Sequence, residues 1–128
     1  MFRLVIGGLL VAHGLVHAAL WLPQALGAPL PEGAPFDAGS SWLVSRVSDD
    51  GARMVAGALA VTAALMLTGA GVAYVTQQDW WRWLAIGGGG ISLVLIALYW
   101  NVWLSVGALL DAAVIAGAVA ASQAAPEA

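Results

Sequence analysis

Cysteine and lysine are absent from this 128-residue chain, and charged residues of every kind are scarce. Without cysteine there is no disulfide, no thiol relay, no iron–sulfur cluster and no thiolate zinc site. Without lysine no residue can form a Schiff base with retinal or pyridoxal phosphate. The basic residues are four scattered arginines, so the chain has no basic patch that would bind the phosphate backbone of a nucleic acid.

The chain is rich in hydrophobic residues instead: they make up 62% of it, whereas charged residues make up 9%. Soluble domains average about 45–50% apolar and about 25% charged residues. Polar surface this scarce cannot cover a water-soluble globule, so the composition predicts an integral membrane protein. The sequence contains no nucleotide-binding motif and no dense set of ligands, and it does not predict an enzyme that acts on its own.

Four apolar stretches come close to the roughly 20 residues with which a helix crosses about 30 Å of hydrocarbon. We predict helices over residues 4–22, 51–75, 83–100 and 105–121. Pro23 should stop the first helix, because proline cannot continue one. The predicted fold is a single all-α transmembrane domain over residues 1–128. It is a four-helix antiparallel bundle with a long loop, residues 23–50, between the first two helices.

The arginines leave the orientation of this bundle open, because two of them fall on each side of the membrane. The long loop breaks the tie, since it is rich in proline and carries four acidic residues against Arg46 alone. These features favour a translocated loop. We therefore expect both termini in the cytoplasm.

Rows of small residues allow helices to approach closely in lipid, where such packing is a main source of association. Two rows have four-residue spacing: Ala56, Ala60 and Ala64 in the second helix, and Ala108, Ala112, Ala116 and Ala120 in the fourth. We expect the row in the fourth helix to face another helix. The glycines at 87–90 predict close packing on two sides of the third helix.

His13 and His17 are four residues apart and therefore lie on one face of the first helix. Ionisable groups within a span usually face the interior of the bundle and suggest a functional site. The pair is interpreted either as structural or as a pair of ligands. Two imidazoles at this spacing could bind one metal ion if another helix supplied a third ligand. They point the same way, so a haem with two histidine ligands would need two protomers.

Asp111 is the one carboxylate well inside a predicted span, about 9 Å from Ser105 at about 1.5 Å per residue. His17 lies at a similar depth, about 7.5 Å from Leu22. A buried carboxylate needs a partner, and His17 and Arg53 are the candidates. We predict that His17, Arg53 and Asp111 form one polar layer under the long loop, with His13 deeper beneath it. These four residues are the candidate ligand-binding site.

Five residues near the same end of the bundle are secondary candidates. They are Asp49, Asp50, Trp21, Trp100 and Asn101. Acidic residues at the start of a helix also serve as caps and complement the helix dipole. Tryptophans near the ends of spans also anchor a protein at the membrane interface. Both interpretations stay open for these residues.

The start of the chain, with Arg3-Leu4, Gly7 and His13-Gly14-Leu15, resembles the DoxX-like family of small four-helix bacterial membrane proteins. His17 stands where members of that family commonly have lysine. The resemblance implies a bacterial plasma membrane as the location. It also implies a small subunit associated with membrane oxidoreductases, in some members a thiosulfate:quinone oxidoreductase.

Three functions therefore remain as hypotheses. The first is an accessory subunit that binds a quinone or a lipid headgroup near His13, His17 and Asp111. The second is a small-molecule or ion transporter that works as an oligomer and couples protons through Asp111 and His17. The third is a haem or metal binder that uses the two histidines. The expected partners are the lipid bilayer and either larger subunits or another copy of the chain, and no nucleic acid.

Overall fold

The computed structural model describes residues 1–34, 36–43, 46 and 48–124. Its helices are α1 (Phe2–Ala25), α2 (Asp49–Val75), α3 (Trp81–Leu98) and α4 (Ser105–Ala124), and a 3₁₀ turn at Val102–Leu104 leads into α4. These described ranges contain no β-strand. Each helix, with the 3₁₀ turn counted as part of α4, is long and apolar enough to cross a membrane. For the described residues, the prediction of an all-helical fold whose helices could cross a membrane is confirmed.

Helix α1 continues past Pro23 to Ala25, so the expectation that proline would stop it is wrong. The missing N–H of Pro23 removes only one hydrogen bond of the helix. Residues that follow the helix donate hydrogen bonds to the carbonyl groups of its last turn. The Ala28 N–H donates to the Pro23 carbonyl at 2.8 Å, and the Gly27 N–H donates to the Gln24 carbonyl at 3.1 Å. Gly27 has a φ of +86°, as the Schellman ending of a helix requires.

Helix α2 begins with a side-chain cap. The Ser48 hydroxyl accepts a hydrogen bond from the Gly51 N–H at 2.9 Å. Asp49 and Asp50 follow in the first turn, where both are exposed and where negative charge complements the helix dipole. The structural interpretation of this acidic pair therefore accounts for its position.

Helix α2 packs against α1 and α3 through the small residues of the predicted row. Ala56 and Ala60 are fully buried and Ala64 is 8% exposed. On the facing side of α1, a Cβ atom on Gly14 would lie 2.8 Å from the Ala64 carbonyl oxygen, closer than real side chains approach. The two backbones are therefore in direct contact at this point.

The glycines of α3 pack on two sides, as predicted. A Cβ atom on Gly88 would lie 2.9 Å from Leu67 Cγ in α2, and one on Gly89 would lie 2.9 Å from Ile115 Cγ1 in α4. Gly90 has open space around it. Consecutive glycines thus let α3 approach both of its neighbours.

Helix α4 presents a different face from the one predicted. Ala112, Ala116 and Ala120 are exposed and Ala108 is only partly buried, so this row faces none of the other described helices. The buried residues of α4 are Asp111 and Ala118, which are seven residues apart on one face. Helix α4 is rotated about its axis so that Asp111 is buried against hydrogen-bond partners, which are described below. Burial of this carboxylate takes precedence over burial of the row of small residues.

The described part of the segment between α1 and α2 lies over the ends of α1 and α3. The Ala38 N–H donates to Gln24 Oε1 at 2.9 Å. The Ser41 hydroxyl donates to the Leu98 carbonyl at 2.8 Å, and the Trp42 indole N–H donates to the Ala97 carbonyl at 2.6 Å. The segment thus donates hydrogen bonds to carbonyl groups in the last turn of α3, which have no hydrogen-bond partner within α3 itself.

Tyr99, just beyond α3, ties this end of the structure to α2. Its hydroxyl donates a hydrogen bond to the Ala52 carbonyl. Burial raises the pKa of Tyr99, so the hydroxyl keeps the proton that it donates.

Candidate functional site

Three helices bring four polar side chains together in the apolar interior of the fold. His13 and His17 come from α1, Ser92 from α3 and Asp111 from α4, and we call these four residues the polar centre. Ser92 and Asp111 are fully buried and His17 is 6% exposed. The side chain of His13 is 13% exposed and is the most accessible of the set.

Asp111 has a hydrogen-bond partner at each carboxylate oxygen. His13 Nε2 lies 2.7 Å from Oδ1, and the Ser92 hydroxyl lies 2.5 Å from Oδ2. A lone aspartate inside a membrane span costs about 2.5–3.5 kcal/mol on insertion scales. The two bonds offset this cost and explain how a carboxylate lies inside a helical fold with so few charges.

His17 is bonded through both ring nitrogens. Nδ1 lies 3.1 Å from the His13 carbonyl oxygen, which can only accept, so Nδ1 donates there. Nε2 lies 2.5 Å from the Ser92 hydroxyl. Because the same hydroxyl bonds Asp111, an unbroken path of hydrogen bonds joins His17 to Asp111.

His13 uses one ring nitrogen on the carboxylate and leaves the other open. Nε2 faces Asp111 Oδ1, so in the ionised pair it is the donor. Nδ1 has no hydrogen-bond partner in the part of the chain that the structure describes, and it is not a buried unsatisfied atom. A carboxylate that holds one imidazole nitrogen fixes the tautomer and makes the other nitrogen a base, as in the Ser-His-Asp triad.

The structure contains a polar layer, but its residues and contacts differ from those predicted. His17 and Asp111 share it, but they meet through Ser92 and not directly. His13 does not lie beneath the layer, since it bonds Asp111 itself.

Arg53 does not belong to the polar layer, and that part of the prediction is wrong. Its Nη1 donates to the Gln24 carbonyl at 3.2 Å, and its Nη2 lies 3.7 Å from Asp37 Oδ1. The first turn of α2 is at the end covered by the segment between α1 and α2. A long side chain there finds its charge partner in that segment.

Ser92 was not singled out from the sequence, although its hydroxyl links His17 to Asp111. The one sequence feature that could have identified Ser92 is a hydroxyl group in the middle of an apolar span. That signal has little specificity, because the hydroxyls of Thr62 and Ser122 only bond the carbonyl four residues earlier in their own helices.

Asp111 is placed where it could supply the third ligand that a metal site at the two histidines would need. One ligand atom from each of His13, His17 and Asp111 lies within 4.8 Å of the others. All three side chains already take part in hydrogen bonds, however. An ion bound by all three would have to replace the bond between His13 and Asp111.

The secondary candidate Trp21 is a core residue. It is 3% exposed and packs against Phe36 and Tyr99, with ring centroids 4.3 and 5.3 Å apart.

Trp100 and Asn101 line a cavity of about 300 Å³ beneath the described loop residues, together with Leu30, Ala34, Phe36, Asp37, Ser40 and Tyr99. Asn101 also caps the 3₁₀ turn, since its side-chain oxygen accepts from the Trp103 N–H at 3.0 Å. This cavity shares no lining residue with the polar centre.

Comparison of the chain with family models, curated proteins and solved structures finds no match.

Proposed function

We propose that the protein is a quinone-binding accessory subunit of a membrane oxidoreductase. In this proposal its helices cross the bilayer as an antiparallel bundle, and the quinone headgroup binds at His13. The observation that carries the proposal is the open Nδ1 atom of His13, which is backed by the buried carboxylate of Asp111 at 2.7 Å from Nε2.

The chemistry of His13 suits a quinone better than it suits a charged ligand. With Nε2 donating to Asp111, the neutral ring offers Nδ1 as an acceptor for the hydroxyl of a quinol. When the ring takes a proton, Nδ1 becomes a donor for the carbonyl of a quinone, and Asp111 stabilises the imidazolium. One nitrogen can therefore bind both redox states of the same headgroup.

The position of His13 also favours a ligand that arrives through lipid. At about 1.5 Å per residue it lies about 16 Å from one end of α1 and about 18 Å from the other. This depth is close to the middle of a hydrocarbon core about 30 Å thick. A water-soluble ligand would have to cross half of the membrane, whereas a quinone is already dissolved there.

Photolabelling in nanodiscs tests the proposal. An azidoquinone should label residues of α1 and α4 next to His13, and excess unlabelled quinone should compete with it. His13→Leu should lower the competed labelling by about tenfold, which corresponds to about 1.4 kcal/mol and is close to the upper value for one hydrogen bond.

Thr62→Val is the matched control. It also removes one polar side chain from a span, but it does so on the exposed side of α2, away from the polar centre. The proposal is wrong if labelling spreads over the lipid-facing surface without competition, or if the two variants behave alike.

Transport and haem or metal binding stay predictions with their own measurements. Proton-coupled flux in liposomes that Asp111→Asn abolishes would favour a transporter. A Soret band, or a metal ion retained after dialysis and lost in His13→Leu, would favour the third hypothesis.

A further inference from the structure

The hydrogen bonds of the polar centre require more protons than its residues carry in their usual states. Three bonds run in series from the His13 carbonyl through His17 and Ser92 to Asp111. Each bond needs one hydrogen between its two heavy atoms. A neutral histidine and a serine supply one hydrogen each, and an ionised aspartate supplies none. One further proton is needed.

Only two arrangements provide this proton and keep all three bonds. In the first, His17 carries hydrogens on both nitrogens, donates to the Ser92 hydroxyl, and the hydroxyl donates to ionised Asp111. In the second, Asp111 is a carboxylic acid that donates to Ser92, and the hydroxyl donates to Nε2 of a neutral His17. The Nδ1–H of His17 donates to the His13 carbonyl in both.

The two arrangements interconvert without any heavy atom changing its partner. As His17 Nε2 passes its proton to Ser92 Oγ, the hydroxyl proton moves from Ser92 to Asp111 Oδ2. No proton is gained or lost, and the total charge of the pair stays zero.

The surrounding charges also favour a centre that holds this proton. Of the four arginines, Arg53 faces Asp37 and Arg82 faces Asp79 near helix ends. Among the described residues, no hydrogen bond or ion pair joins Arg3 or Arg46 to the polar centre. Within the part of the chain that the structure describes, His13 is the other titratable group bonded to Asp111, and α3 contributes the hydroxyl of Ser92. With His13 neutral, a centre without the extra proton would bury a net negative charge in an apolar interior, which is costly.

We propose that the polar centre stores one proton that Asp111 and His17 share through the Ser92 hydroxyl. Ser92 is then a positioning residue and a proton relay between two helices. This inference does not depend on the identity of any ligand at His13, so it stands or fails separately from quinone binding.

Two spectroscopic signals report the shared proton in protein reconstituted in nanodiscs. Nitrogen-15 NMR of labelled histidine reports the protonation of each ring, since the chain has only two histidines. The infrared C=O stretch of a carboxylic acid, identified by its loss in Asp111→Asn, reports protonated Asp111. At neutral pH we expect a doubly protonated His17, a protonated Asp111, or a mixture of the two whose signals change together with temperature.

Ser92→Ala removes the relay and should uncouple the two signals, so that each changes independently. Ser122→Ala removes a hydroxyl that bonds only the Ala118 carbonyl and should leave both signals as in the wild type. The inference is overturned if His17 is neutral while Asp111 is ionised in the wild type at neutral pH. It is also overturned if folded Ser92→Ala retains the wild-type coupling.

Discussion

At the scale of single residues, Asp111 separates the effect of hydrogen bonding from the effect of charge. In Asp111→Asn the amide oxygen can accept from His13 and the amide nitrogen can donate to Ser92, which then donates to His17. This variant reproduces the bonding of the protonated aspartate. We expect its free energy of unfolding in detergent to lie within about 1 kcal/mol of the wild type, inside the usual range for one hydrogen bond.

Asp111→Leu keeps the number and branching of the side-chain heavy atoms, takes more volume, and has no polar atom. It leaves His13 Nε2 without its partner, at about 1–3 kcal/mol for an unsatisfied buried group, whereas the Ser92 hydroxyl can still donate to His17 Nε2. Chemical unfolding of the two variants in the same detergent compares them directly. Equal losses in the two variants would mean that the bonds around Asp111 do not stabilise the fold.

The sequence identified those residues of the polar centre whose type is rare within a membrane span. His13, His17 and Asp111 stand out because ionisable groups are rare within membrane spans. Ser92 does not, because a hydroxyl can satisfy itself within its own helix. The direct contact of His13 with Asp111 depends on the rotations of α1 and α4 about their axes, and a sequence pattern on either helix alone does not give their relative rotation.

At the scale of helices, two leucine substitutions test where the close packing lies. Ala60 is fully buried in α2 and Ala112 is exposed on α4. Ala60→Leu should destabilise the protein by about 1–3 kcal/mol, because it forces extra volume into a packed interface. Ala112→Leu should leave the detergent melting curve of the monomer unchanged. The opposite ranking would mean that α4 packs through its alanine row.

The glycines of α3 offer a second matched pair. Gly88→Ala places a methyl group 2.9 Å from Leu67 Cγ, whereas the methyl group of Gly90→Ala meets open space. We expect Gly88→Ala to lower the unfolding free energy. Gly90→Ala should raise it by about 0.5–1 kcal/mol, because alanine loses less conformational freedom in a helix. Thermal unfolding in one detergent measures both, and a loss in Gly90→Ala would contradict the position of that glycine.

The helices themselves could be predicted because length and apolar content determine which segments can span a bilayer. The buried face of α4 could not be predicted, because its row of alanines and its single carboxylate lie on different faces. Only one of these faces can be buried. Burial of Asp111 against donors from α1 and α3 outweighs the packing of four alanines. The end of α1 was missed by three residues, because the closing bonds of its last turn come from Gly27 and Ala28.

At the scale of the whole molecule, the orientation in the membrane is open to a direct test. We predict that both termini are cytoplasmic and that the segment between α1 and α2 is outside. Ser40 is exposed in that segment, and the chain has no cysteine of its own. A Ser40→Cys variant should react with a membrane-impermeant thiol reagent in intact cells. Reaction only after the membrane is ruptured would reverse the orientation.

In the molecule as a whole, apolar helices surround one polar centre, in which His13 Nδ1 is accessible and both ring nitrogens of His17 are bonded. Diethyl pyrocarbonate enters membranes and modifies imidazole nitrogens that are unprotonated and accessible. Mass spectrometry of the protein treated in nanodiscs locates the modification, and His17 serves as the internal control. We expect modification of His13 in the folded protein, and of His17 only after unfolding. Equal modification of both histidines in the folded protein, or modification of His17 alone, would contradict this expectation.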